Sequence, residues 1–416
     1  MSAPLVLLLS AAHPPDDIRV VRKEGAALAA AGWRVRHLAP GPATAPCAVA
    51  GVAIETYPRR PGWAGRLLGL PALARRAAAS GAAVLHASEP DAWLAALLAA
   101  RRNGARVVLD VHEHYPSRLD ARLPALLRPL ARGALRLACR AAGRAADAVV
   151  VAKDGLDADF GGGRATPIVA VRNYAMPVPV VPRRHAPGPL TLVHAGALGR
   201  SRGWPQMLEA LALCPPGTRL RLIGRFTDGS GAAFTARAAA LGLAGRIEQL
   251  AWMPHAEALA RLAESDIGLV LFQPGEENHR LALPHKLFDC MLAGLPVIAP
   301  AFAEEVAAVL RDSGCGALVD TAAPAAIAAA IAGLADPARR AALGAAGRQA
   351  ALTRYAWPGE AARLVALYHH LAPLPAAVHI PGDRGLLPGT AIHALGLAAS
   401  GDRGPAEAGP APLPGL

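Results

Sequence analysis

Short apolar runs alternate with amphipathic stretches along most of this chain, and no other feature constrains the fold as strongly. The runs at 4–9, 33–38, 51–56, 82–87, 106–111, 147–151 and 167–171 have the length of buried strands, with helical spacing between most of them. A proline-rich break, NYAMPVPVVPRRHAPGP at 173–189, has linker composition. A second series follows at 190–195, 218–223, 246–250, 267–271, 296–299 and 316–319, and helical pattern dominates from 323 to 371. Alternation of this kind implies parallel sheets covered on both faces. The expected fold is therefore α/β, with two doubly wound, Rossmann-like domains facing a cleft. Ligands bind such sheets outside the carboxyl ends of the strands, so the chemistry is sought in the loops that follow them. The tail from 373 to 416, rich in Pro, Gly and Ala without periodicity, is expected to be disordered.

Composition narrows the partners. A net charge of +12 calls for an anion, whether nucleic acid, an acidic membrane surface or a phosphorylated substrate. Aromatic residues make up only 4% and form no stacking cluster, which argues against readers of single-stranded nucleic acid. The five cysteines are scattered without a CxxC or Cys/His cluster, so a reducing, cytoplasmic setting without structural zinc is expected. The opening MSAPLVLLLSAAHPP lacks the positive start of a signal peptide and reads as a first buried strand. No apolar run reaches the roughly 18 residues of a membrane span.

The stretch LALPHKLFDCMLAGLPVIAP, 281–300, carries the sharpest signal. Pro284 suits a helix start, and Gly294 with Pro296 suits its end. Leu287, Phe288, Met291 and Leu292 would share the buried face, leaving Lys286, Asp289, Cys290 and Ala293 on the other. A helix start offers free N–H groups to an anion, Lys286 adds a point charge suited to phosphate, and Asp289 can accept from sugar hydroxyls. Only three of the 43 basic residues are lysine (Lys23, Lys153 and Lys286), so a lysine kept at this helix start points to a need for a compact ammonium. The bland alternative is a surface Lys–Asp pair worth about 0.2–0.5 kcal/mol.

Four other stretches are informative. LVHAGALGRSRGW reads as a strand, a glycine turn and a helix, in which Gly196, Gly199 and Gly203 allow close approach to a phosphate, with Arg200 and Arg202 beside it. The strand 106–111 leads into Asp110-Val111-His112-Glu113-His114, which sets His112 and Glu113 at the cleft mouth. Asp16 or Asp17 can cap a helix whose first turns carry Arg19, Arg22 and Lys23, and pairing with nearby carboxylates is the simplest account of those cations. Residues 120–145 read as a long basic helix. Its stripe of Arg128, Arg132, Arg136, Arg140 and Arg144 fits either a solvated face or an anionic membrane.

Together these stretches resemble a GT-B-fold glycosyltransferase of family 4, the retaining, nucleotide-sugar-dependent group. The resemblance spans about 4–371 and rests on HPPDDIR, VLHASEPDAW, VVLDVHEHYP, ADAVVVAKDGL, GALGRSRG, the run from Asn278 through LPHKLFDCMLAGLPVIA, SGCGALVD and RYAW. It implies an acceptor-binding domain at 1–172, the linker at 173–189, a nucleotide-sugar domain at 190–355 and a helix at 356–372 packing back towards the first domain. It further implies that Arg202 and Lys286 bind the donor diphosphate beside Gly196, that Asp289 and Asn278 lie at the donor, and that His112 stands near the transferred sugar. The family's first motif glutamate is Leu281 here, and its second is shortened to Asp289.

The expected activity is transfer of a hexose-type sugar from a UDP- or GDP-sugar to a lipid-linked or polysaccharide acceptor. No permanently bound cofactor, metal or nucleic acid is expected. The setting would be cytoplasmic, with attachment to the inner membrane face through the arginine stripe as a variant. A catalytically silent GT-B scaffold is the alternative, and a nucleotide-sugar epimerase on the same fold ranks last.

Overall fold

The computed structural model describes residues 2–42, 47–59, 62–161 and 166–375. Most of the expected tail, 376–416, lies outside the described residues. Within Ala3–Leu374, which form one compact unit, the chain builds two sheets in sequence.

The first sheet contains β1 (Leu5–Leu9), β2 (Arg34–Pro40), β3 (Cys47–Val49), β4 (Val52–Tyr57), β5 (Val84–Ala87), β6 (Arg106–Val111), β7 (Ala148–Val151) and β8 (Ile168–Ala170). Their spatial order is β3-β4-β2-β1-β5-β6-β7-β8, parallel throughout except for the β3–β4 pair. The second sheet contains β9 (Thr191–Ala195), β10 (Arg219–Ile223), β11 (Ile247–Leu250), β12 (Ile267–Leu269), β13 (Val297–Pro300) and β14 (Gly316–Val319). It is parallel in the order β11-β10-β9-β12-β13-β14. Every strand read from the apolar runs is present. Only β3 was not expected, because three residues at a half-exposed edge leave no periodic signal.

Helices cover both faces of the first sheet. Gly62–Ala79, Pro90–Asn103 and Arg128–Ala145 bury Leu73, Ala92, Ala96 and Cys139 against one face. The other face is met by the Ile18–Ala30 segment and by Trp357–Leu371, through Val20, Leu28, Leu364 and Tyr368. The last helix thus packs on the first sheet, and Trp33 Nε1 donates to the Ala372 carbonyl at 2.8 Å. The segment 173–189 contributes no regular strand or helix. It is tied to the second half through Arg183, whose backbone N–H donates to Ala293 O at 2.9 Å and whose side chain meets Asp266 at 3.0 Å.

Two helix expectations need correction. The basic helix begins at Arg128 rather than 120, because Pro124 holds an extended backbone ahead of it and short 3₁₀ turns fill 115–127. The helix after β1 is capped by Asp17, whose carboxylate accepts from Arg19 N and Val20 N. It runs as a π-helix over Ile18–Gly25 before tightening into Ala26–Ala30. This wider winding places Arg19, Lys23 and Glu24 inward, where all three are buried.

Candidate functional site

The 281–300 stretch folds as its residues dictate. A helix runs His285–Leu292 behind Pro284, Gly294 adopts φ +74° after it, and Leu287, Phe288, Met291 and Leu292 are buried. Cys290 was expected on the open face but is buried, lying where a side chain on Gly268 of β12 would have to go. Lys286, in the first turn, donates to His194 Nε2 at 2.9 Å. Burial and the Lys286 charge push His194 well below its usual value, so a neutral imidazole accepts that bond.

Arg202 reaches the same place from the glycine turn. Its guanidinium lies 4.7 Å from the Phe272 ring centroid, and Lys286 Nζ lies 6.0 Å from it. Gly196 at φ +96° passes under Lys286, and a Cβ there would stand 3.7 Å from Nζ. Burial, followed by repulsion from Arg202, pushes Lys286 down to about 7. Among the described residues no carboxylate lies within ion-pair distance of either cation. Two crowded, partly desolvated cations without a counter-charge are costly unless an anion joins them.

Asp289, one turn on, accepts from His255 Nε2 at 2.8 Å through Oδ1 and is mostly buried. Asn278 sits elsewhere. Its side chain bridges the two halves, accepting from His114 N at 2.7 Å and donating to His114 O at 3.3 Å. Leu281 is buried in the first half's core, against Gly155. Lys23 makes a third crossing, donating to Tyr174 O at 2.6 Å and Asn173 Oδ1 at 3.1 Å and lying 3.3 Å from His285 Nδ1.

On the first-half side, the β6 end delivers His112 into a chain of carboxylates and imidazoles. His112 Nε2 meets Asp110, its Nδ1 lies 3.1 Å from His13 Nε2, and His13 Nδ1 meets Glu89. The Glu89 carboxylate also accepts from three consecutive backbone N–H groups, Ala11, Ala12 and His13, at 2.8–2.9 Å. Burial opposes charge on both partners, yet their pairing holds His13 up to about 9 and Glu89 down to about 2. Behind Asp110, Arg19 bridges Glu24 at 2.8 Å and Asp110 at 2.9 Å. His86 lies 3.3 Å from Glu24 and, against burial, is held at about 9 by its two carboxyl neighbours. Glu24, His86 and Asp110 have metal-ligand geometry, but Arg19 already supplies the cation between the carboxylates. Glu113 stands outside this chain, at the rim, paired with Arg118 at 2.9 Å.

The two parallel sheets agree with the comparisons. A model described as Glycosyltransferase Family 4 matches residues 19–157, and one described as Glycosyl transferase-like matches 200–366. The chain is a GT-B-fold glycosyltransferase whose first half matches family 4. Among solved structures, a sucrose-phosphate synthase from Thermosynechococcus elongatus is similar at 19% identity and TM-score 0.70, over 88% of this chain and 99% of that one. HepE of Anabaena, in complex with UDP, is similar at 17% identity and TM-score 0.65, over 89% and 100%. The lipopolysaccharide outer core galactosyltransferase WaaB is similar at 11% and 0.59, over 87% and 99%. No curated protein matches in sequence.

In this glycosyltransferase the arginine stripe is only partly available. Arg132 pairs with Asp120, Arg136 with Asp159 at 3.2 Å, and Arg128 donates to Leu123 O at 3.1 Å. The outermost side chains of that region are instead leucines, with Leu126 92%, Leu130 75% and Leu137 66% exposed. Among the described residues no helix is long and apolar enough to cross a membrane. His13, Glu89, His194 and Phe272 escaped the sequence reading because their partners are distant in the chain. One readable signal was left unused: the scarcity of lysine marks Lys23 and Lys153 as strongly as Lys286, and all three are drawn into the interior with lowered pKa values.

Proposed function

We propose that this glycosyltransferase moves a hexose-type sugar, with retention of configuration, from a nucleoside diphosphate sugar to a lipid-linked or polysaccharide acceptor. The observation that carries the reading is the convergence of Arg202 and Lys286 on the Phe272 ring with no carboxylate to neutralise them. Transfer requires stabilisation of the departing diphosphate, and two cations at a helix start supply it without reorganising. UDP is the favoured base, since neighbours of this fold bind UDP or UDP-glucose. Asp289, with one oxygen held by His255, is the candidate for the ribose hydroxyls. Asn278 is expected to act at the donor indirectly, by fixing the His114 backbone.

His112 is the group we assign to orienting the substrate, held by Asp110 on one nitrogen and by His13 on the other. With both nitrogens engaged it has no lone pair free to act as a nucleophile, which fits front-face attack. Glu113, at the rim, lies within Coulombic reach of Arg202 and is assigned to the electrostatics of the cleft mouth. Beside the 11–13 loop a cavity of about 340 Å³ is lined by Tyr57, Arg59, Arg66 and Arg76 among others, and this is the proposed acceptor entry. The exposed leucines beside the arginine stripe would let the first half rest on an anionic membrane. Leu281 supports a second reading, a silent binding protein, because an apolar plug fills the place of an acid.

A thermal-shift screen against UDP, GDP, ADP and their common sugars tests the proposal. Selective stabilisation by one nucleotide, lost in Lys286→Ala, is expected, followed by turnover with an α-linked product from an α-linked donor in proton NMR. Stabilisation without turnover of any sugar offered would favour the silent reading.

A further inference from the structure

Lys153 follows β7, in the loop that faces the second half, and is 7% exposed. Neither hydrogen bond nor ion pair engages its ammonium among the described residues, although the residues around it are rich in acids. Each of those acids is otherwise occupied or discharged. Its neighbour Asp154 is held by Arg172 at 2.7 Å, and Glu113 is held by Arg118 at 2.9 Å. Glu305 faces it from the helix Glu304–Ser313, but burial pushes that carboxyl up to about 8, which favours its uncharged form at neutral pH; Arg172 approaches it only at 3.8 Å. Glu113 and Glu305 attract the ammonium only from a distance, and Arg202 repels it. A lysine this deeply placed, with no carboxylate in ion-pair contact and a second cation within reach, is poorly explained by stability. An apolar residue of the same length would cost less.

The place of Lys153 in the fold separates it from the diphosphate cations. Arg202 and Lys286 belong to the glycine turn after β9 and to the helix His285–Leu292 of the second half, whereas Lys153 follows the first sheet's β7 and stands two residues before Gly155, on which Leu281 packs. The loop therefore lies across the cleft from the cation pair, where the sugar undergoing transfer and its acceptor have to meet. We propose that Lys153 binds an anionic group, a carboxylate or phosphate carried by the transferred sugar or by the acceptor, and so selects a charged substrate. The inference deepens the functional reading above and rests on it.

Calorimetric titration tests it, using UDP, UDP-glucose and UDP-glucuronate against the wild type, Lys153→Met, Lys153→Arg and Lys286→Met. If the anion rides on the donor, UDP-glucuronate binds the wild type at least ten-fold more tightly than UDP-glucose. Lys153→Met then removes the difference, Lys153→Arg keeps part of it, and UDP itself binds as before. If the anion rides on the acceptor, both donors bind alike, and glucose 6-phosphate binds the UDP-loaded wild type in preference to glucose, a preference lost in Lys153→Met. Thermal unfolding of Lys153→Met at or above the wild-type temperature confirms an intact fold. The assignment is overturned if UDP weakens as much in Lys153→Met as in Lys286→Met, which would place Lys153 on the leaving group. It is equally overturned if no anionic probe distinguishes the variant. A wild type that binds no nucleotide overturns the functional reading itself, and the Lys153 assignment with it.

Discussion

Single residues in this site derive their chemistry from what is denied to them. Lys286 sits beside Arg202 without a carboxylate, and burial with that repulsion brings it to about 7. A bound diphosphate reverses the balance and raises its pKa, so binding takes up a proton. UDP affinity is therefore expected to be highest near pH 6 and to fall as pH rises through about 7 to 9, by up to ten-fold per unit, in titrations across that range. An affinity that does not vary with pH would remove Lys286 from the site. The imidazole chain gives a second prediction. Asp110→Asn leaves His112 without its anionic partner, and turnover should drop roughly 10–1,000-fold while UDP affinity changes little. Equal loss of both would mean that Asp110 serves the fold rather than the reaction. The 281–300 segment was legible because its determinants are local: a proline start, a glycine stop and helical spacing. The partners of His112 were not legible, since His13 and Glu89 approach it only after β1, β5 and β6 have paired.

Elements carry the next set of consequences. The glycine turn before Trp204–Leu213 holds Gly203 at φ +85°, with Leu271 O only 2.3 Å from where a Cβ would stand. Gly203→Ala should cost about 1–3 kcal/mol or more and lower the unfolding temperature, as measured by denaturation. Full stability would contradict the strained turn. The basic segment 120–145, read from sequence as one long helix, becomes continuously helical only from Arg128, after the extended Pro124, and two of the stripe's five arginines are drawn into ion pairs with Asp120 and Asp159. Sequence spacing could locate the stripe but not its partners. The structure shifts attention to the leucines: Leu130→Ser with Leu137→Ser should reduce sedimentation with anionic vesicles, and raised salt should weaken it further. Equal pelleting with neutral vesicles would exclude the electrostatic part of this attachment.

At the scale of the whole molecule, the βα alternation specified two parallel sheets and therefore a cleft, because parallel strands place all their strand-to-helix loops at one end. What it could not specify was how the halves are stitched together. Asn278 on the His114 backbone, Leu281 on Gly155 and Lys23 on Tyr174 are contacts between residues more than 100 positions apart, and no periodicity encodes them. The family resemblance suggested donor-side roles for Asn278 and Asp289, and the structure shows what each of them also holds. The account as a whole depends on the anion that the paired cations await. Its most direct test is the affinity of UDP for the wild type, Arg202→Met and Lys286→Met, each checked for an intact fold. A charged hydrogen bond contributes about 1.5–3 kcal/mol, so each variant should bind roughly ten- to hundred-fold more weakly than the wild type. Wild-type affinity in both variants would contradict the account.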